Sequence, residues 1–338
     1  MTDNFGRKIE YMRISVTDRC NLRCRYCMPE GIDLLPMDTI LSYEEIALIV
    51  RCAVSLGITK FKITGGEPLV RKGVTDLIKM LKAIEGVEQV SLTTNGVLLS
   101  KCIDELIGAG IDAINISLDT IDQVSYYKIT GSDRLMDVLR GIDKALNSGI
   151  KVKINSVVLE DLPIDNYIAL AALAKDKKID VRFIEMMPIG AGKEYESIDC
   201  NKILEAVFER FVPKQKIQDK KIRDYINTTK DESVHGNGPA RYYNIPGFSG
   251  SIGVINSIHD KFCHNCNRIR LTSTGKLKPC LYYGNTINLR NILRENDDNN
   301  KNKKIMTAIE EAILNKPCGH DFAEGEAMEI RKMSQIGG

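Results

Sequence analysis

Over its first two-thirds the chain alternates strand-like and helix-like segments, and this alternation limits the fold more than any other feature. Strands are predicted at 12–16, 60–64, 89–93, 113–118, 152–159 and 180–186. They are short, rich in Ile and Val, and bounded by Gly, Asn or Asp. Helical periodicity fills 43–56, 74–84, 101–109, 135–147 and 165–175. Ser42 precedes the first of these with Glu45 three residues on, the pattern of a capping box. Gly57, Gly86, Gly110 and Gly149 follow helix ends, as C-terminal caps do. Six βα-type units in a row imply a parallel sheet with right-handed crossovers. A barrel and an open doubly wound sheet share this pattern, and spacing does not separate them. In both, the loops after the strands carry the chemistry. The pattern ends near Phe211. Residues 213–241 are charge-rich with few apolar anchors, and Gly236-Asn237-Gly238-Pro239 breaks any regular element. The expected division is a first domain, 1–213, and a smaller one, 214–338. A second polar stretch, 294–304, reads as a solvated loop.

Cys20, Cys24 and Cys27 stand at x3 then x2 spacing directly behind the first strand. Three thiolates on one short loop can hold a cubane iron–sulfur cluster with one iron left open, and an open coordination position is where chemistry occurs. The bare spacing also fits a zinc knuckle. A second triplet, Cys263-His264-Asn265-Cys266 followed by Cys280, reads in the same two ways. A structural zinc would need a fourth ligand. His264 lies inside the x2 loop, where turning onto the same ion is difficult, and His259 is the other candidate. A three-thiolate cluster is therefore the preferred reading. Of the ten cysteines, Cys52 and Cys102 sit in helical patterns as small apolar residues, and Cys200 and Cys318 carry no assignment.

Two strand ends add to this. Thr64-Gly65-Gly66-Glu67-Pro68 puts two glycines where backbone can approach a ligand closely, with a carboxylate beside them able to accept from an ammonium group. In Ile114-Asn115-Ile116-Ser117-Leu118-Asp119, Ser117 and Asp119 alternate to one side at the same end of the sheet. Cations punctuate the strands at Arg13, Lys62, Lys153 and Arg182, and Arg268 and Arg270 follow the second triplet. Strands covered by helices are expected to be apolar on both faces. Charges inside them need anionic partners, either Asp and Glu or a polyanionic ligand. A phosphate-rich ligand is the reading favoured here. For Arg268 and Arg270 alone, a solvated β-edge is the plainer alternative.

With a net charge of +2, nothing global points to nucleic acid. No apolar run approaches the roughly 20 residues needed to cross a bilayer. The first residues lack a signal-peptide core. The expectation is a cytoplasmic protein in which reduced thiols serve metal rather than disulfides.

The Cys20-x3-Cys24-x2-Cys27 loop followed by Gly65-Gly66-Glu67-Pro68 resembles the radical S-adenosylmethionine (AdoMet) superfamily. The further matches 13–20, 27–31, 62–69, 92–96, 115–119 and 182–185, the second triplet with its arginines, and Gly337-Gly338 are similar to the GTP 3′,8-cyclase family of molybdenum-cofactor biosynthesis. That resemblance implies a partial (βα)6 TIM-type barrel whose open side is closed by a smaller C-terminal domain carrying a second 4Fe-4S cluster. It implies two 4Fe-4S clusters, at Cys20, Cys24, Cys27 and at Cys263, Cys266, Cys280. AdoMet would be met by Tyr26, Gly66, Glu67, Ser117 and Met187. GTP would be met by Arg13, Lys62, Thr93, Lys153, Arg182, Arg268, Ile269 and Arg270, with the guanine edge on the second cluster's open iron. One electron into the sulfonium would yield a 5′-deoxyadenosyl radical. Cys20, Cys24, Cys27, Arg268 and Arg270 would form the catalytic set, with the terminal Gly337-Gly338 reaching into the site. A pyranopterin monophosphate synthase downstream, an electron donor, and a monomer or homodimer complete the expectation. Lys62 departs from the arginine of many relatives: it keeps the charge and loses the bidentate fork. Other auxiliary-cluster enzymes of the superfamily, such as peptide-modifying maturases, are the alternative. A zinc-stabilised nucleic-acid module is a third reading, disfavoured by the charge balance.

Overall fold

The computed structural model describes the chain except residues 30–34, 218–220, 234, 296–299, 323–328, 330, 332 and 337–338. The expected role of Gly337-Gly338 thus lies outside the described residues.

The strands are Tyr11–Ser15 (β1), Lys60–Thr64 (β2), Gln89–Thr94 (β3), Ala113–Ser117 (β4), Lys151–Val157 (β5), Asp180–Ile184 (β6), Lys230–Asp231 (β7), Arg241–Tyr243 (β8), Ile252–Ile255 (β9), Arg268–Leu271 (β10), Lys276–Lys278 (β11) and Ile287–Asn288 (β12). The helices are Tyr43–Ser55 (α1), Val74–Lys82 (α2), Leu99–Gly108 (α3), Gln123–Thr130 (α4), Leu135–Asn147 (α5), Ile164–Asp176 (α6), Cys200–Phe211 (α7), Lys214–Ile217 (α8), Ile222–Thr228 (α9), Leu289–Leu293 (α10), Lys301–Leu314 (α11) and Met333–Ile336 (α12). All six expected strands are present. The capping box is formed as well: Glu45 N–H donates to Ser42 Oγ at 3.1 Å, and Ser42 N–H to Glu45 Oε2 at 2.7 Å.

One sheet runs β12-β11-β10-β1-β2-β3-β4-β5-β6-β9-β8-β7 and does not close on itself among the described residues. From β10 to β9 all pairs are parallel, while β11–β12 and β7–β8 add antiparallel flanks. This is the partial barrel. Its two edges are extended by strands from the C-terminal part rather than by further βα units. Because β10 lies between β1 and β11, Arg268 and Arg270 are not on a solvated edge.

The strand cations break the rule of apolar faces on one side of the sheet alone. One face holds Met12, Ile14, Phe61, Ile63, Val90, Leu92, Ile114, Ile116, Ile154 and Phe183, all within the core under the helices. The other face carries Arg13, Lys62, Ser91, Thr93, Asn115, Lys153 and Arg182 around an internal cavity. Period-two alternation inside a parallel barrel marks a chamber instead of a filled lumen. A correction concerns 294–304: α11 begins at Lys301 and buries Ile305, Ala308, Ile309, Ala312 and Ile313 as a helical stripe. Among the described residues no helix is long and apolar enough to cross a membrane.

Candidate active site

At the C-terminal ends of the strands a cavity of about 250 Å³ is lined by Cys20, Cys24, Cys27, Tyr26, Gly65, Gly66, Asn95, Ser117, Asp119, Met186 and Met187. The backbone of the glycine loop is pressed against that of the cysteine loop. Gly66 N–H donates to Thr17 O at 2.7 Å and Glu67 N–H to Arg19 O at 2.8 Å. A Cβ on Gly66 would lie 2.4 Å from Arg19 O and one on Gly65 2.6 Å from Thr17 O, so neither position admits a side chain.

Glu67 is buried and turned inward. It accepts from Leu69 N–H at 3.0 Å, the Thr94 hydroxyl at 2.7 Å and Asn95 N–H at 2.7 Å. Burial pushes its carboxyl up to about 7, against the pull of those donors. The glycine backbone beside it, not its carboxylate, faces the cavity. Asn95, which sequence reasoning quoted without a role, reaches the Cys20 sulfur with Nδ2 at 3.7 Å and Asn21 Oδ1 at 2.8 Å.

The donor chemistry of the cysteine loop fits a metal cluster. Burial, then the proximity of Cys27, Asp119 and Cys20, drives the Cys24 thiol well above its ordinary range. Thiols that disfavour one another's ionisation in a buried pocket call for a multivalent cation. Cys263, Cys266 and Cys280 form a second mutually interacting set. Burial alone would raise the Cys266 thiol, but Arg268 and Lys316 overcome this and bring it to about 6. Among the described residues no three His, Cys, Asp or Glu side chains converge as ligands of a single metal ion would. His259 is taken up by the buried Glu185, and His264 lines an outer cleft.

Below the cysteine pocket a narrower cavity of about 100 Å³ continues down the lumen, sharing Arg13, Thr93 and Asn155 with the first. Register explains its charge. Arg13 is paired with Arg270 on one side and Lys62 on the other, so three cations stand abreast on adjacent strands. Thr93, Asn115, Lys153 and Asp180 form a second row. Arg182 stands beside Gly253, where a Cβ would come within 2.8 Å of its Cγ. Burial and then Arg182, Arg13, Lys153 and Arg268 hold the Lys62 ammonium well below its ordinary range. Thr93 Oγ1, Asn155 Oδ1 and Arg182 Nε are buried without a hydrogen-bond partner. A row of crowded cations with unused polar atoms beside them fits a polyanion. Ile269 is fully buried in the apolar core, so it can meet a ligand only through its backbone.

The stretch 213–241, expected to be an irregular connection, instead carries α8, α9 and β7, and its residues 235–239 line this chamber. Lys153 Nζ donates to the His235 carbonyl and, at 3.0 Å, to the Tyr242 hydroxyl, and pairs with Asp180 at 3.1 Å. Asn237 Nδ2 donates to Gln89 Oε1 at 2.5 Å. The glycines there flag a break but not what the loop lies against.

The open parallel barrel and the three-thiol pocket at its mouth define a radical SAM enzyme, and the family model described as the Radical SAM superfamily matches residues 14–183. A second model, Molybdenum Cofactor Synthesis C, matches 179–322. The chain is 42% identical over 340 residues to the GTP 3′,8-cyclase of Clostridium perfringens (strain 13 / Type A), with both chains covered in full. It is 42% identical over 340 residues to that of Pelotomaculum thermopropionicum and 43% over 341 to that of Alkaliphilus metalliredigens (strain QYMF), again over full length. The chain belongs to the GTP 3′,8-cyclase family. Among solved structures, Streptococcus suis SuiB bound to S-adenosylmethionine is similar in fold, with TM-score 0.60, 16% identity, 86% of this chain and just 66% of SuiB covered. Native anSMEcpe with bound AdoMet gives TM-score 0.55 at 16% identity, covering 88% and 83%.

Proposed function

We propose that this enzyme converts GTP to (8S)-3′,8-cyclo-7,8-dihydroguanosine 5′-triphosphate, the first step of molybdenum-cofactor biosynthesis. The observation that carries this reading is the row Arg270–Arg13–Lys62: Arg270 and Arg13 line the pocket of Cys20, Cys24 and Cys27, and Arg13 and Lys62 line the chamber that continues from it. A reactive centre above a triphosphate-sized charge suits a nucleotide and not a peptide, which argues against the maturase alternative. A 4Fe-4S cluster held by Cys20, Cys24 and Cys27 would supply the electron that cleaves AdoMet to the radical removing hydrogen from the ribose 3′ carbon. The carbon radical would then attack carbon 8 of guanine, and one further electron, from the electron donor, with a proton would complete the product.

The AdoMet side is assigned to the Tyr26 backbone, the Gly66 backbone held by Glu67, Ser117 and Met187. Arg13, Lys62, Thr93, Lys153, Arg182, Arg268, Arg270 and the Ile269 backbone are assigned to GTP. Charge on the triphosphate restores the protonated state of cations that crowding disfavours, so binding and ionisation support each other. Lys153 meets phosphate by exchanging one of its present partners. Cys263, Cys266 and Cys280 are assigned to a second 4Fe-4S cluster that holds the guanine. The division 1–213 and 214–338 separates the two cluster sites. The product would pass in the cytoplasm to a pyranopterin monophosphate synthase.

The test is anaerobic incubation with AdoMet, dithionite and a panel of nucleoside triphosphates. GTP alone is expected to yield the cyclised product together with 5′-deoxyadenosine. Product from another nucleotide and none from GTP would refute the substrate. If replacing both Arg268 and Arg270 with Ala left GTP affinity unchanged, the grip assigned to them would be wrong.

A further inference from the structure

Two buried cations outside every sequence signature converge on the second cysteine triplet. Arg7 sits on the N-terminal turn ahead of β1 and is 7% exposed. Its Nε donates to Asp3 Oδ2 at 2.6 Å. Nη1 donates to Cys263 O at 2.9 Å and Cys318 O at 3.1 Å, and Nη2 to Pro317 O at 2.7 Å and Lys316 O at 3.4 Å. The guanidinium fork is therefore spread over the carbonyls of the first cysteine's own residue and of 316–318. Lys316, following α11, is 3% exposed. Its ammonium donates to Arg268 O at 2.9 Å and Pro279 O at 2.8 Å. Those carbonyls flank the other two cysteines: Arg268 is two residues after Cys266, and Pro279 directly precedes Cys280.

We propose that Arg7 and Lys316 are positioning residues that together set the three-cysteine loop, Arg7 at Cys263 and Lys316 at Cys266 and Cys280, in the spacing that an iron–sulfur cluster requires. The proposal rests on the reading that this triplet holds a cluster.

The geometry supplies the reason. The triplet spans 263–280 and is interrupted by β10 and β11, so no single turn fixes its spacing, unlike the compact loop 20–27. Of its three members only Cys263 lies in a helical turn, the single 3-10 turn Cys263–Asn265. Carbonyls gathered by a central cation cannot drift apart without leaving a buried charge unpaired, which is strongly disfavoured. The Arg7 fork depends on its planar, multi-pronged shape, so lysine would keep the charge and lose most of the contacts. Lys316 also reaches the backbone of Arg268, the first residue of β10, which links the cluster loop to the strand that carries Arg270. Asp3 completes the arrangement: burial would raise its carboxyl, but hydrogen bonds from Arg7 outweigh this and lower it.

The experiment compares unaltered protein with Arg7→Lys and Lys316→Met, each reconstituted anaerobically, by iron count, electron paramagnetic resonance of the reduced clusters, and AdoMet cleavage without GTP. Unaltered protein is expected to hold about eight irons per chain and each variant about four, with the first cluster's signal and AdoMet cleavage kept. Lys316→Arg is expected to keep part of the iron that Lys316→Met loses, since a longer cation still reaches both carbonyls. About four irons in unaltered protein would sink the second-cluster reading itself. About eight in both variants would overturn the positioning role alone. Loss of both clusters together in either variant would also overturn it, showing a general folding role.

Discussion

The Tyr26 hydroxyl donates to Asp119 Oδ2 at 2.7 Å, and the same carboxylate accepts from Val157 N–H at 2.8 Å through its other oxygen. A residue inside the cysteine loop is thus tied to the tops of β4 and β5. Burial raises Asp119 to about 6, so the acceptor is costly to leave unpaired. Tyr26→Phe removes the donor and keeps the ring. The expected cost is about 1–3 kcal/mol, the range for orphaning a buried polar group. A lower melting temperature and faster loss of iron from the first cluster to a chelator should both be seen. Unchanged chelation kinetics would show that this bond does not secure the loop.

Lys153 gives the clearest pH signature. Burial, then Arg182, lowers its ammonium to about 8, with Asp180 opposing. Below that value it is a cation facing the chamber. Above it the charge is lost, and with it the attraction for phosphate. The KM for GTP is expected to rise several-fold between about pH 7 and 9, because the group's titration falls inside that window. AdoMet cleavage without GTP should not follow. Lys153→Arg should flatten the KM profile, since guanidinium stays charged throughout. A flat profile in the unaltered enzyme would remove Lys153 from the grip.

Gly66 tests the backbone contact between the two loops. The nearest atoms to an added Cβ are the carbonyl oxygens of Arg19 and Asp18, at 2.4 and 2.6 Å. Neither is a flexible side-chain end, so Gly66→Ala must push the chain just ahead of Cys20. Iron is expected to fall to about four per chain, with AdoMet cleavage abolished. Gly108→Ala is the comparison: it lies in α3 with nothing within 4 Å. That change should stabilise the protein by about 0.5–1 kcal/mol. Full AdoMet cleavage by Gly66→Ala would refute the close approach.

How much of this was legible beforehand depends on how local the signal is. The six βα units and the cysteine loop are local patterns, each set by spacing within a dozen residues, and the structure contains them. The chamber was half legible: cations at Arg13, Lys62, Lys153 and Arg182 announced a ligand, but that Arg13 stands between Arg270 and Lys62 depends on β10 pairing with β1 across more than two hundred residues. No periodicity encodes that pairing. The same holds for Arg7, whose contacts at Cys263 and at Lys316 to Cys318 lie on the far end of the chain. The break Gly236-Asn237-Gly238-Pro239 within 213–241 misled for a different reason. Glycine and proline mark where regular structure stops, yet say nothing about whether the loop faces water or, as here, Lys153 and Gln89. α11 was not read from the sequence: its first turn is the polar run Lys301-Asn302-Lys303-Lys304, which merges with the polar stretch before it, and only Ile305 begins the buried stripe.

The second triplet can be separated from the first by one substitution. Cys266 lies beside Arg268, while Cys20, Cys24 and Cys27 open onto the other end of the chamber. Cys266→Ser leaves the first loop and its contacts to Gly66 and Asn95 untouched. AdoMet should therefore still be cleaved, slowly and without coupling to GTP. If the second triplet orients the purine as proposed, cyclised product should fall below detection, since positioning of reacting atoms is worth several orders of magnitude. Measuring 5′-deoxyadenosine and cyclised nucleotide in the same samples decides the matter. Normal product with Cys266→Ser would mean that the cation row alone orients GTP, and the second triplet would need another purpose.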